Sequence, residues 1–251
     1  MKQSVILSFT IVLVFFACSS LVSSAVPQGL VFLVTFEEQK GNAVKDMSGF
    51  DNNGTVVGKA DWVNGKFGGG FHFDGSTNIT VPNAKPLSAL TDPMSAGTWV
   101  KPEAFPTWSQ IIEMDGNAGW KFGLNNTNVV WTTYYVQDFV ALGKSLKAGE
   151  WVHIAATWDG KQAIIYVNGE PEPPIAGGGV INVEKEPSLD MGFRSTSKAS
   201  YYTGTLDDVF VFNRVISKDE IKVIMGGFAN LLAVKPNSKL AATWGKLKSI
   251  N

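Results

Sequence analysis

Trp151-Val152-His153-Ile154-Ala155-Ala156-Thr157-Trp158-Asp159-Gly160-Lys161, continuing through Ala163-Ile164-Ile165-Tyr166-Val167-Asn168-Gly169-Glu170, is the stretch that decides the fold class. Its Asp-Gly and Asn-Gly dipeptides tolerate the positive φ angles that tight hairpin turns demand, and both lie between runs rich in β-branched and aromatic residues. Two consecutive hairpins follow. Apolar residues recur so densely in 151–158, and again in 206–212, that both strand faces must be partly covered, as in two stacked sheets.

Working outward, short runs of Val, Ile, Phe, Trp and Thr alternate with Gly, Asn, Asp and Pro clusters, the mark of successive antiparallel strands. The expected strands are 29–37, 55–62, 70–73, 79–81, 94–101, 110–114, 120–124, 129–135, 139–142, 151–158, 163–167, 189–193 and 204–212. One short helix is legible near the C-terminus. Ser217-Lys218-Asp219-Glu220 is a capping box followed by Ile221, Val223, Ile224 and Met225, and Gly226-Gly227 ends it. The reading is all-β: a two-sheet antiparallel sandwich with one C-terminal helix.

The chain has 251 residues and a net charge of -1, with 45% hydrophobic residues, which suits one β domain. Lys and Arg form no stripe, so nucleic acid is excluded as a partner. The N-terminus runs from Lys2 through an apolar stretch, 5–17, to the small residues Ser23-Ser24-Ala25, the pattern of a secretory signal peptide over 1–25. Ser8 and Thr10 interrupt a run already too short for a membrane span. Phe16-Ala17-Cys18-Ser19 is an imperfect lipoprotein box, which leaves a lipid anchor at Cys18 as the alternative. Cys18 is the chain's one cysteine, so residues 26–228, the expected domain, hold no disulfide. Residues 229–251, with Pro236, Trp244 and several lysines, read as a strap or docking tail.

The order of these elements resembles the laminin G-like, concanavalin A-like group of secreted bacterial proteins, related to pentraxins. The resemblance is carried by Phe36-Glu37-Glu38, Asp46-Met47-Ser48-Gly49, Asn53-Gly54-Thr55, Gly70-Phe71-His72-Phe73-Asp74-Gly75, Thr98-Trp99-Val100-Lys101-Pro102, the 151–160 and 166–169 stretches, Gly204-Thr205-Leu206-Asp207-Asp208-Val209 and Asn213-Arg214. It spans roughly residues 29–227. It implies a concanavalin A-like jelly roll that binds glycans or proteins outside the cell, and it leaves the ligand open.

Glucanases on this scaffold carry E-x-D-x-x-E on one strand, where period-two spacing aims carboxylates into a sugar cleft. Here Glu113-Met114-Asp115 is followed by Ala118 where the second Glu belongs, so catalysis is not expected. His72 and His153 lie in strands among apolar residues and read as structural. Calcium is the metal the resemblance suggests, with Glu37, Asp74 and Asp207 as its nominated ligands and Asp74 alternatively serving its own turn. Asn53, Asn78 and Asn125 head Asn-x-Thr sequons.

Exposed aromatic rings are the usual sugar platforms. Candidates are Trp108, Trp131, Tyr134, Tyr135, Tyr201 and Tyr202, of which Trp131, Tyr135, Tyr202 and Trp108 are the nominated ligand contacts, whereas Trp99, Trp151 and Trp158 read as core. The resulting expectation is a secreted or cell-surface, non-catalytic module that recognises carbohydrate. An adhesive module for an extracellular protein and a divergent glycosidase acting through Glu113 are the alternatives.

Overall fold

The computed structural model describes residues 26–84, 87, 90, 93–114, 119–133, 137–178, 181, 188–195 and 198–232. Residues 1–25, read as a signal peptide, with Cys18, and Asp115, Tyr134, Tyr135 and the residues beyond 232 with Trp244 lie outside the described residues.

Two antiparallel sheets form the sandwich. The nine-stranded sheet runs β14 (Glu170–Pro171), β13 (Gln162–Val167), β12 (Val152–Trp158), β7 (Met94–Pro102), β17 (Thr203–Phe212), β5 (Gly69–Asp74) and β4 (Trp62–Asn64), with β1 (Leu30–Val34) on β17 and β15 (Ile175–Ala176) on β13. The eight-stranded sheet runs β11 (Gln137–Val140), β10 (Asn128–Thr133), β9 (Trp120–Asn125), β8 (Ser109–Met114), β16 (Leu189–Met191), β6 (Asn78–Val81), β3 (Gly54–Val57) and β2 (Ala43–Val44).

Both diagnostic turns form as read. Asn168 and Gly169 take φ of 51° and 74°, and Gly160 takes 89°. Asp159 Oδ1 fixes the first turn by accepting from the backbone N–H groups of Lys161 and Gln162. β12 therefore pairs on one side with β13 and on the other with β7, and its burial on both faces follows from this central place.

The expected 55–62 strand is two strands in different sheets. Gly58, at φ 104°, breaks the run between β3 and β4, and the chain crosses from the eight-stranded sheet to the nine-stranded one. Apolar content had hidden this, because both halves bury side chains in the same core.

That core is filled by Phe32, Phe71, Phe73, Phe122, Trp120, Trp131, Trp158 and their neighbours, all fully buried. Each such side chain contributes about 1.5–3 kcal/mol through the water it leaves. Trp99 and Trp158 are buried as expected, and Trp151 is half-buried.

A second apolar cluster lies on the nine-stranded sheet, where Ile221, Ile224 and Phe228 pack with Leu33, Phe210 and Phe212. It is closed by α1 (Lys218–Ile224) and a further five-residue helix, α2 (Phe228–Leu232), which the sequence reading had not separated from the tail. The capping box forms reciprocally, with Ser217 Oγ accepting from Glu220 N and Glu220 Oε2 from Ser217 N. Among the described residues, no helix is long and apolar enough to cross a membrane.

Candidate functional site

The eight-stranded sheet has one face in the core and the other outward. In β9, Trp120, Phe122 and Leu124 point inward, which turns Lys121 and Gly123 outward; in β10, Val129 and Trp131 point inward and Val130 and Thr132 outward. The register then lines up one polar row across six strands: Asp138, Thr132, Lys121, Glu113, Asp190 and Thr80.

Hydrogen bonds stiffen this row. Thr132 Oγ1 donates to Asp138 Oδ1 at 2.6 Å, and Thr80 and Ser188 donate to the two oxygens of Asp190 at 2.7 Å each. Ser195 donates to Glu113 Oε1 through both its backbone N–H, at 2.7 Å, and its hydroxyl, at 2.8 Å. The segment carrying Ser195 folds back on itself through an Arg194–Ala199 bridge and meets β8 where Ser200 O accepts from Gln110 N.

The ionisation of the row follows from this burial. Glu113 is pushed above the usual carboxylate range, first by desolvation and then by the charge of Asp190, against the opposing pull of Ser195. Lys121 is pulled down, first by desolvation and then by the nearby Arg194 charge. Glu113 Oε2 is buried without a hydrogen-bond partner among the described residues. With Oε1 held by Ser195 and the carboxyl enclosed, Glu113 is not presented to solvent as a glycosidase acid would be.

Beside the row lies a crevice too tight to admit a water molecule, in which Gln110, Lys121, Gly123, Leu124, Val130 and Thr132 are buried and Trp108 alone is half-exposed. Gly123 sits so close to Ser109 that a Cβ there would stand 2.3 Å from its carbonyl oxygen, so glycine is what lets the two strands approach at this point. Trp108, half-buried, holds the left-handed φ of 65°. A bulky residue in that region carries strain of order 1–3 kcal/mol, and such outliers gather where function fixes a side chain.

Of the nominated ligand contacts, Trp108 keeps an accessible place. Trp131 does not: it is fully buried and stacks on Trp120 with ring centroids 5.2 Å apart. Tyr202 is likewise fully buried, packed edge-on against Phe73, with its hydroxyl directed at Thr205 O. An enclosed ring offers no face to a sugar, so both belong to the core; the alternation of β10 turned Trp131 inward, and Tyr202 stands just before β17. Tyr135 lies outside the described residues. Tyr201 is half-buried and stacks on Phe193.

The three nominated calcium ligands do not meet. Asp74 makes its own turn, accepting from Ser76 N, Ser76 Oγ and Thr77 N at 2.8 Å each, which holds its carboxyl down at about 2. It pairs with Thr203, whereas Asp207 lies four residues further along β17, opposite Trp99. Glu37 and Asp207 do serve the same loop, accepting from Gly69 N and Phe67 N respectively. Asp207 Oδ1 is buried without a partner among the described residues, and desolvation, then the charge of Asp208, pushes this carboxyl up to about 8. Among the described residues, no three acidic, His or Cys side chains come together to hold a metal ion. Glu37, Asp74 and Asp207 are therefore not brought together as one donor set.

The histidines part company. His153 is buried against Trp99 and Phe210, as a structural residue should be. His72 is half-exposed, with Nδ1 at 2.9 Å from Asp61 and Nε2 at 3.2 Å from Glu103, and so is not set among apolar groups as expected.

Lys121, Asp190, Gln110 and Thr132 escaped nomination, and Glu113 was weighed only as a glycosidase carboxylate. Their signal was a lone polar residue inside each apolar strand, as in Trp120-Lys121-Phe122 and Leu189-Asp190-Met191.

A laminin G-like family model described as the concanavalin A-like lectin/glucanases superfamily matches residues 73–222. None of the curated proteins matches the sequence. Among solved structures, domain 4 of AbnA, a GH43 extracellular arabinanase from Geobacillus stearothermophilus, in complex with arabinotriose, is similar at a TM-score of 0.61 and 17% identity, over 77% of this chain and 96% of that one. A botulinum neurotoxin type C structure whose description links cell entry to two ganglioside molecules is similar at 0.62 and 13%, over 82% of this chain and 52% of the other. The botulinum neurotoxin DC binding domain in complex with rat synaptotagmin II is similar at 0.57 and 14%, again over 82% and 52%. This chain thus spans about half the length of these toxin domains.

Proposed function

Because the chain belongs to the concanavalin A-like lectin/glucanases superfamily, we propose that it is a non-catalytic carbohydrate-recognition module acting outside the cell, and that it seats a sugar on the exposed part of Trp108, over the recess of the eight-stranded sheet. The observation that carries this reading is Trp108 itself, an indole held half-exposed in a left-handed backbone over the buried Gln110, Thr132 and Lys121. A flat ring supplies apolar area to the C–H face of a pyranose. The solved relatives described with arabinotriose and with gangliosides support a sugar as ligand, and the covered position of Glu113 supports recognition without hydrolysis.

A broad glycan array probed with the domain and with Trp108→Ala, each with calcium and with chelator, tests this. Binding lost in the variant and indifferent to chelator is expected, since the reading asks no metal of the site. Absence of binding to every glycan overturns it and moves the assignment to recognition of an extracellular protein. Release of reducing ends from any bound glycan overturns the non-catalytic part.

A further inference from the structure

One edge of the nine-stranded sheet is formed by β4, and Trp62 on this strand packs, partly buried, against the core. Its ring packs edge-on against Phe71 at 5.1 Å and Phe36 at 6.4 Å between centroids. Its indole N–H donates to Gly41 O at 2.8 Å, tying β4 to the segment that leads into β2 of the other sheet. The ring is thereby immobilised while remaining half-exposed. In front of it opens a groove of about 430 Å3 lined by Gln39, Trp62, Val63 and Asn64.

Gln39 holds a left-handed φ of 54°, and both Gln39 and Asn64 are exposed. The groove therefore presents a fixed aromatic ring and two carboxamides, each with donors and an acceptor, and none of its four lining side chains is ionised. It shares no lining residue with the Trp108 recess, which contains Lys121.

We propose that this groove is a second carbohydrate site, taking a neutral sugar. Carboxamides satisfy hydroxyls in both directions, the ring stacks on a C–H face, and nothing in the lining compensates a carboxylate or sulfate. Two sites on different sheets let one domain grip a branched or repeating glycan at two points, which multiplies avidity without new contacts. The inference rests on the reading of the protein as a carbohydrate binder.

Titration calorimetry with neutral arabino-, xylo-, manno-, galacto- and gluco-oligosaccharides, paired with NMR of the tryptophan indole N–H signals, tests it on the wild type, Trp108→Ala and Gln39→Ala/Asn64→Ala. The expected result is two sites per chain in the wild type and one in each variant, with the Trp62 signal shifting on titration and affinity at the second site falling about tenfold or more when the amides are removed. A single site abolished by Trp108→Ala, with the Trp62 signal unmoved, overturns the groove and leaves the Trp108 reading intact. A single site abolished by the amide substitutions alone supports the groove and overturns the recess. No binding to any member of the panel overturns both.

Discussion

Glu113 on β8 and Asp190 on β16 stand directly opposite one another in the register of the eight-stranded sheet. Like charges at such a position oppose strand pairing. The arrangement persists because Ser195 holds one oxygen of Glu113, Thr80 and Ser188 hold the two oxygens of Asp190, and Lys121 is the next residue in the row.

Glu113→Gln is expected to stabilise the fold above pH 7. The amide oxygen still accepts from Ser195, the like charge disappears, and the buried unpartnered oxygen is replaced by a donor beside Asp190. The gain is about 1 kcal/mol, or roughly 2–4 °C in Tm. Because burial raises the folded-state pKa of Glu113 above its ordinary value of 4.5, the wild type loses stability as pH climbs from there through the folded value, and the variant does not. Melting curves at pH 4 and pH 8 check this: the difference should vanish at the lower pH, and an equal difference at both would refute the electrostatic cause.

His153 makes the protein acid-labile. Both ring nitrogens are buried without partners among the described residues, and desolvation drives the ring down from 6.5 to about 3. The unfolded chain takes up the proton first, so the full contribution is present above pH 6.5 and is lost as pH falls toward 3, up to about 5 kcal/mol in all. His153→Phe keeps a ring between Trp99 and Phe210 and removes the polar atoms. Its Tm should exceed the wild type's at pH 7, by the equivalent of about 1–2 kcal/mol, and the margin should widen at pH 4.5.

The chain's two histidines should separate cleanly in an NMR titration of tag-free protein. Burial alone would lower His72, but the hydrogen bonds and charges of Glu103 and Asp61 outweigh it, and the net shift is upward from 6.5. Asp61→Asn with Glu103→Gln should bring the His72 midpoint back down, while His153 shows no titration before acid unfolding. A His72 midpoint below 6.5 in the wild type would remove the two carboxylates as its partners.

The fold was legible because it is written locally. Asp159-Gly160, Asn168-Gly169 and the Ser217–Glu220 box each fix a turn or cap within a few residues, and the structure forms all three. The site was legible only in part. Whether Trp131 or its neighbour Thr132 faces out depends on which side of β10 meets the other sheet, and period-two alternation alone does not say. The polar row joins β6, β8, β9, β10, β11 and β16, and their adjacency is a property of topology. Trp62 was passed over because 55–62 read as one continuous strand; the break at Gly58 is what places this ring at the sandwich edge.

The sharpest separation of site from core comes from three substitutions at two tryptophans. Trp131→Ala empties a fully buried position stacked on Trp120 and should cost about 3–5 kcal/mol, so any loss of binding in that variant follows from loss of the fold. Trp108→Gly should behave in the opposite way. Glycine adopts the left-handed φ of this position without strain, which offsets the packing lost from a half-exposed ring and leaves stability within about 1 kcal/mol of the wild type. Trp108→Ala keeps the strain and should be the less stable of the two. If Trp108 is held in place for a ligand, the glycine variant melts like the wild type and no longer retains glycan at the recess. If both Trp108 variants bind as the wild type does, the strained indole serves packing and the recess is not where sugar sits.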